Sequence, residues 1–396
     1  MLEAPLADPL AANDHQTAVR TAVSHARDPQ RAANELAAVL RHSQLGFVLF
    51  FVSAEYALTP LGKALDAAFA GVPISGCTTA GEITPEGYDR GGIVAVGFDA
   101  RHFGIGVALI DELEGFDLVR AQRVTEGLLA EARRQSPPGG EHFALTLLDG
   151  LSSCEEQVLA TLGAALGSIP SFGGSAGDDN RLAHTHVYSA GRFHDQAAVV
   201  VMFTTRLPFE VFTTHHLRPR SEKLVVTHAD RERRRVIELN AAPAAEEYAR
   251  LVGCPRQALD DAVFARYPLA VRIGESYFVR SIQRVNDDGS LSFYCAVENG
   301  IVLTAMTPAP ILPDLEAVFD DLAERLGEPE LIIGLDCFLR RLEIEALGNL
   351  SAASALLCRQ RVIGFNTYGE QHHGMHINQT FTGVVLGRPG ADRAPR

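Results

Sequence analysis

Residues 47–83 read FVLFFVSAEYALTPLGKALDAAFAGVPISGCTTAGEI. FVLFFVSAEY is a near-continuous apolar run, the mark of a strand covered on both faces. TPLGKALDAAFAG then has helical character, and VPISGCTTAGEI returns to a strand closed by a glycine turn with an acid, Gly81-Glu82. The same order recurs as FALTLLDGL, SCEEQVLATLGAALG and IPSFGGSAGDD, and again as LIIGLDCFL, a polar helical stretch and RVIGFNTYGEQ. The leading glycines Gly76, Gly173 and Gly364 lie 23, 24 and 28 positions beyond Ser53, Asp149 and Asp336. Each turn is followed by a further strand-like run, GGIVAVGF, QAAVVVMF or QTFTGVVLG. A strand–helix–strand–glycine turn–strand unit used three times is the expectation.

Between the second and third units the pattern changes. FEVFTTHHLRP and KLVVTHAD read as strands, NAAPAAEEYARLVG as a helix with Asn240 as its N-cap, and YFVRSIQRVNDDGSLSFYCAV as a hairpin turning at Asp-Asp-Gly. TPAPILPDLEAVFDDLAERLGEP is a proline-delimited helix. The class is mixed α/β: layered mixed sheets with covering helices, in two domains. The expected divisions are a polar leader with a helix over 1–40, one domain over 41–235, a second over 236–388 and a tail over 389–396.

At 396 residues the chain exceeds one ordinary core. A net charge of −14 repels phosphate backbones, so nucleic acid is not expected as a partner. The densest basic cluster, DRERRRVIE, is interleaved with acids and reads as a solvated turn or strand edge. No apolar run reaches the roughly 18 residues of a membrane helix, and MLEAPLADPLAANDHQ lacks the pattern of a secretory signal. The six cysteines are scattered with no C-x-x-C pair, so reduced thiols and a cytoplasmic setting are expected, without structural zinc.

The glycine turns lack Walker A and G-x-G-x-x-G spacing, and their acids repel phosphate. Glycine at positive φ explains them, although an acid beside exposed N–H groups could hold a ligand's amine or hydroxyl. Ser152, Ser153 and Cys154 start a helix without G-x-S-x-G, and serine capping with Glu155 and Glu156 in the first turn explains the same letters. A hydrolase built on Ser153 or Cys154 stays open. Of the fourteen histidines, His184 and His186 could share one face of a strand, His215 and His216 precede Arg218 and Arg220, and His372, His373 and His376 cluster near the end. A haem requires one imidazole, an apolar slot and basic groups for its propionates. Cys254-Pro255 reads as an inert thiol before a turn proline.

CTTAGEI, DGLSSCEE followed by GGSAGDD, YFVRSIQ, DCFLRRLE and the terminal GFNTYGEQ with NQTFTGV together resemble the FIST-domain proteins, over about residues 40 to 388. Within that family the sequence is most similar to the NosP-type nitric-oxide sensors. The resemblance implies no enzyme but a cytoplasmic sensor holding haem b (iron protoporphyrin IX), with His376, His216 and then His186 as candidate axial ligands and Arg218 and Arg220 as cofactor contacts. It implies nitric oxide as the ligand of ferrous haem. Output would pass through a separate histidine kinase, or a diguanylate cyclase or phosphodiesterase of cyclic-di-GMP, with a homo-oligomer possible and no membrane insertion. FIST relatives also imply an alternative, a module binding a small metabolite such as an amino acid without haem.

Overall fold

A computed structural model of the protein describes residues 17–136 and 139–390. The first unit comprises β1 (Val19–Ser24), α1 (Pro29–Leu40), β2 (Leu45–Ser53), α2 (Leu58–Ala68), β3 (Ile74–Thr79), β4 (Glu82–Thr84), β5 (Gly87–Asp89) and β6 (Ile93–Asp99). The second repeats that order with β7 (Phe103–Ile110), α3 (Leu118–Gln135), β8 (Glu141–Leu148), α4 (Glu155–Leu166), β9 (Ser171–Ser175), β10 (Val187–Ser189), β11 (Arg192–His194) and β12 (Ala198–Thr205).

The third unit opens with β13 (Phe209–Thr214) and is then interrupted by an inserted domain. That insertion runs through β14 (Leu217–Asp230), β15 (Arg235–Leu239), β16 (Ala242–Pro243), α5 (Ala244–Val252), α6 (Asp261–Arg266), β17 (Leu269–Ile273), β18 (Ser276–Arg280), β19 (Ile282–Val285), β20 (Leu291–Phe293) and β21 (Val302–Pro308). The unit resumes with α7 (Ile311–Leu326), β22 (Pro329–Cys337), α8 (Phe338–Ala346), α9 (Leu350–Arg359), β23 (Val362–Thr367), β24 (Glu370–His372), β25 (Met375–Ile377) and β26 (Phe381–Gly387).

The three units form three six-stranded sheets of one design, β1-β6-β2-β3-β10-β11, β7-β12-β8-β9-β24-β25 and β13-β26-β22-β23-β4-β5. In each, a parallel pair (β2 with β3, β8 with β9, β22 with β23) is flanked by the antiparallel return strand of its own unit. On the other side sits a hairpin from a different unit. The second unit's hairpin completes the first sheet, the third unit's completes the second, and the first unit's completes the third. The exchange is cyclic.

Both faces of the central strands are buried, which is why they read as continuous apolar runs. Phe47, Leu49 and Phe51 of β2, Phe143, Leu145 and Leu147 of β8, and Leu331, Ile333 and Leu335 of β22 share one core among the three sheets. The alternate residues pack under helices: Val48, Phe50 and Val52 with Leu36 and Leu61, Ala144 and Leu148 with Leu128 and Leu159, and Ile332 with Phe319 and Leu357.

The leading glycines occupy equivalent places in the parallel pairs, but positive φ is not their reason. A Cβ on Gly76, Gly173 or Gly364 would run into the carbonyl oxygen of Phe50, Thr146 or Gly334 on the neighbouring strand. Of the turn glycines named above, only Gly81 has a positive φ, at 135°. Close approach of backbones sets this position, and the left-handed region does not.

Several local expectations change. Val19–Ser24 of the leader is a strand of the first sheet, while residues 1–16 and 391–396 of the expected leader and tail lie outside the described residues. A domain boundary after 235 would cut the β14–β15 hairpin, since Ala229 pairs with Val236 and Val226 with Leu239. The core therefore takes β13, α7 and the chain from β22 onward, leaving β14 to β21 as the inserted body. Asn240 does not cap α5: its side chain accepts from the Val225 N–H at 2.8 Å and donates to Glu247 at 2.8 Å. No serine caps α4 either, as the cap position is Cys154 and the Ser152 hydroxyl accepts the Cys154 N–H at 3.2 Å.

Glu82 is fully buried at the first turn, where the Thr79 hydroxyl and the Gly92 N–H donate to it. Burial outweighs those bonds and pushes its carboxyl up from 4.5 to about 8. Because the folded value is raised, the neutral acid supports the fold below pH 4.5, and that support is lost as pH rises through 8. Urea denaturation at pH 5 and at pH 9 is expected to show wild type losing roughly 2–5 kcal/mol more than Glu82→Gln across that interval. Equal losses in the two proteins would mean that Glu82 ionises freely in the fold.

Candidate functional site

The three glycine turns meet around the axis of the core. Gly177 N–H donates to Thr78 O at 3.0 Å, Ala80 N–H to Asn366 O at 2.9 Å, and Ser175 N–H to Gly369 O at 2.8 Å. Their acids are consumed there. Asp178 accepts the N–H groups of Leu182, Ala183 and His184 and the Tyr368 hydroxyl, and Glu370 accepts from Thr367 and from both the N–H and hydroxyl of Thr380. Both are buried among these protein donors and face no cleft among the described residues, so the turns are structural.

A second polar cluster lies where the inserted domain meets the second unit. The first turn of α4 carries Glu155 and Glu156, and Arg234, at the tip of the β14–β15 hairpin, reaches both at 2.8 and 3.0 Å. Its guanidinium also donates to Ser152 O at 3.1 Å and Tyr294 O at 2.9 Å. His376 Nδ1 stands 3.3 Å from Glu156 and 3.9 Å from Glu155, with its ring buried. Arg280 donates to His376 O at 3.4 Å, and the Ala296 N–H donates to Glu156 at 2.7 Å.

Burial alone would lower the His376 imidazole, but the two glutamates outweigh it and hold it above its usual value. Burial raises Glu155 despite His376 and Arg234, whereas for Glu156 the bond to His376 and both cations prevail over burial and hold the carboxyl well below its usual range. Five polar atoms here have no partner: Arg234 Nε, Arg280 Nε, His376 Nε2 and both amide atoms of Asn378.

Beside this cluster opens a cleft of about 180 Å³. Gly150 and Leu151 line it from just beyond the carboxyl end of β8, and Tyr368 from the third turn; Arg233, Arg234, Gln283, Arg284, Ser292, Phe293 and Tyr294 come from the inserted domain. Leu151 and Leu182 stand half-exposed at its mouth. A crevice outside the carboxyl ends of parallel strands is where open α/β sheets commonly take ligands. Three of the sequence stretches singled out above meet at the cluster and its cleft: DGLSSCEE supplies Gly150 and Leu151 to the cleft and the two glutamates to the cluster, YFVRSIQ supplies Gln283 to the cleft and Arg280 to the cluster, and GFNTYGEQ supplies Tyr368 to the cleft.

The FIST N domain family matches residues 46–242, and the FIST C domain family matches residues 244–373. The chain belongs to the FIST family. FIST domains are sensory signal-transduction modules, and this chain is one. The site draws on both FIST portions, with Glu155, Glu156 and Arg234 from the first and Arg284, Tyr294 and Tyr368 from the second, while His376 lies three residues past the second match. No curated protein matches the sequence. Among solved structures, T. maritima PurL complexed with AMPPCP is 11% identical, covering 94% of this chain and 73% of that one at a TM-score of 0.19. The same protein complexed with FGAR is 10% identical over 93% and 72% at 0.20. At those scores neither likeness bears on this fold.

The histidines expected to bind haem in a FIST sensor sit in separate settings. His216 Nδ1 lies 3.0 Å from Arg340, and a guanidinium only donates, so Nδ1 accepts and Nε2 donates to Glu343 at 2.9 Å. Both nitrogens are engaged, and iron there would have to displace one of these partners. His376 has the carboxylate-supported Nδ1 that a ligating imidazole uses. Its Nε2, however, abuts the Gly369 backbone so closely that a methyl group on Gly369 would collide with it. Iron at Nε2 would require the Gly369 turn to move. His186 is half-buried, with Nδ1 lacking a partner and Phe193 edge-on at 6.5 Å, and it precedes β10 in a loop instead of sharing a strand face with the exposed His184.

Arg218 is paired with Asp314 at 2.6 Å and Arg220 with Glu222. No histidine lines the 180 Å³ cleft or a second cleft of about 250 Å³ beside Thr21 and Arg361. His372 and His373 face each other at 4.2 Å on a pocket of about 10 Å³, room for a single water. No group of three metal-ligating side chains is present among the described residues, and no described helix is long and apolar enough to cross a membrane.

The residues that sequence reasoning passed over are Arg233 and Arg234, in the basic cluster assigned to a solvated turn. The turn is correct, but Arg234 takes a left-handed φ of 52° and points inward. A basic tip facing acidic first-turn residues across the chain was the available signal. Replacing Arg234 with Met leaves the buried Glu155 and the partly buried Glu156 facing one imidazole. That is expected to cost about 3–5 kcal/mol of urea-denaturation stability at pH 8 and less at pH 5.5, since burial already raises Glu155 and lower pH favours its neutral form. A loss under about 1 kcal/mol at both pH values would show the pair to be solvated.

Proposed function

We propose that this FIST protein is a haem-free sensor that takes a small metabolite into the cleft between its threefold core and its inserted domain. The observation that carries it is the double placement of Arg234, which lines the cleft and also holds the inserted domain to Glu155 and Glu156 of the core. A ligand touching that guanidinium changes the stability of the contact by its difference in affinity between the docked and loosened arrangements. A separate signalling protein then reads the arrangement, with a histidine kinase or a cyclic-di-GMP enzyme as the class that family resemblance implies. The chemistry is recognition, with no reaction assigned to Ser153 or Cys154.

The test is thermal unfolding of the purified protein against a panel of small metabolites, alongside absorption spectra after haem addition. At about 100 times its Kd a true ligand is expected to add roughly 2.7 kcal/mol of stability. Leu151→Trp, which fills the cleft mouth from a half-exposed position, is expected to abolish that gain. A Soret band that shifts on replacing His376, His216 or His186 with Ala, together with no metabolite response, would overturn this reading in favour of haem.

A further inference from the structure

Within the cleft the charge is all of one sign. Three arginines line it, and none of its eleven lining residues is Asp or Glu, in a chain of net charge −14. The charge of Arg234 is already paired with Glu155 and Glu156. The other two are not. Arg284 makes no ion pair among the described residues, and the nearest acid to Arg233 is Asp230 at 3.8 Å, the outer limit of an ion pair. Two guanidinium forks at one rim are suited to a carboxylate or phosphate group, which each can bind through two parallel hydrogen bonds. A cleft lined by one sign of charge also focuses field lines within it.

The remaining wall mixes aromatic residues with Leu151, Leu182, Gln283 and Ser292. Of the aromatic residues on it, Tyr294 is partly exposed while Phe293 and Tyr368 are almost fully buried, and Tyr368 donates its hydroxyl to Asp178, so it has no free donor for a ligand. An ammonium group finds no carboxylate: Glu155 and Glu156 stand behind Arg234 and are engaged by it, by Ser175 and by Ala296. A volume of about 180 Å³ lies below the roughly 300–1,000 Å³ of drug-sized pockets and limits the occupant to about one ring with its substituents.

We infer that the ligand is a small anion, carboxylate or phosphate, with a flat unsaturated body and no ammonium group, held by Arg233 and Arg284 against Phe293 and Tyr294. This rests on the cleft being the sensory site and narrows its occupant: a free amino acid, as a zwitterion, is disfavoured because its amine is unmet.

The test is calorimetric titration with benzoate, phenyl phosphate, phenylalanine and benzyl alcohol. At least one of the two anions is expected to bind about tenfold or more tightly than phenylalanine and benzyl alcohol, and to weaken between about 50 and about 300 mM salt. The two anions also separate a carboxylate from a phosphate preference. Arg233→Gln and Arg284→Gln, both at exposed positions, are each expected to weaken the anion about tenfold and together to remove its binding. Benzyl alcohol or phenylalanine binding as well as the anions, with that binding lost in Leu151→Trp, would overturn the anion assignment and leave the cleft as the site. Anion binding that survives the double arginine variant, or no binding of any of the four up to about 10 mM, overturns the inference outright.

Discussion

A parallel strand pair has an open edge, and in this protein each such edge is closed by a hairpin from another unit. Unpaired backbone N–H and C=O groups in a buried edge carry a cost close to a lost hydrogen bond apiece, so the second strand of each pair must find a partner. Its own unit has already used its return strand on the other side. Passing the hairpin onward around a ring solves the problem three times and leaves no unit complete by itself. Because the ring closes, the three turns are drawn to one place, and this crowding accounts for the glycines and the buried acids. Gly177 has no room for a side chain beside Ala80, and Gly369 has none beside His376.

The inserted domain breaks the threefold pattern at one place, and the polar chemistry gathers there. Taking Arg234, Glu155, Glu156 and His376 out of water is expensive, and the cost is offset because two cations face two anions and backbone groups meet part of what remains, leaving Arg234 Nε and His376 Nε2 without partners. An arrangement of this kind is stable when complete and poor when partly formed. It suits a contact with two discrete states more than one that yields gradually. The cleft shares Arg234 with this contact, so its occupancy and the seating of the inserted domain are mechanically one event.

The histidines that draw the eye in the sequence serve this architecture as charges and hydrogen-bond partners. His216 is fixed as one neutral tautomer between Arg340 and Glu343, at the point where the chain leaves the core for the insertion. His376 lies between the two glutamates and the Gly369 turn. A cofactor could reach either ring only after the protein partners moved.

The apolar runs at 47–52, 143–148 and 331–335 and the glycines at 76, 173 and 364 were enough to specify the repeated unit, since burial on both faces and close strand approach leave marks in local composition. The Asp-Asp-Gly hairpin and the helix at 311–326 were equally plain. Register between units left no such mark: which hairpin closes which sheet depends on pairing between backbones more than a hundred residues apart, and backbone groups are alike in every residue. The site escaped for the same reason. Arg234 looked solvated because its local neighbours are charged, and only the fold sets it against Glu155, nearly eighty positions earlier, and His376, far beyond it. The sequence by itself determined the units and their class, through side-chain chemistry that repeats locally. Tertiary structure alone decided the cyclic exchange and the cleft, because both are made by groups that meet only when the chain is closed.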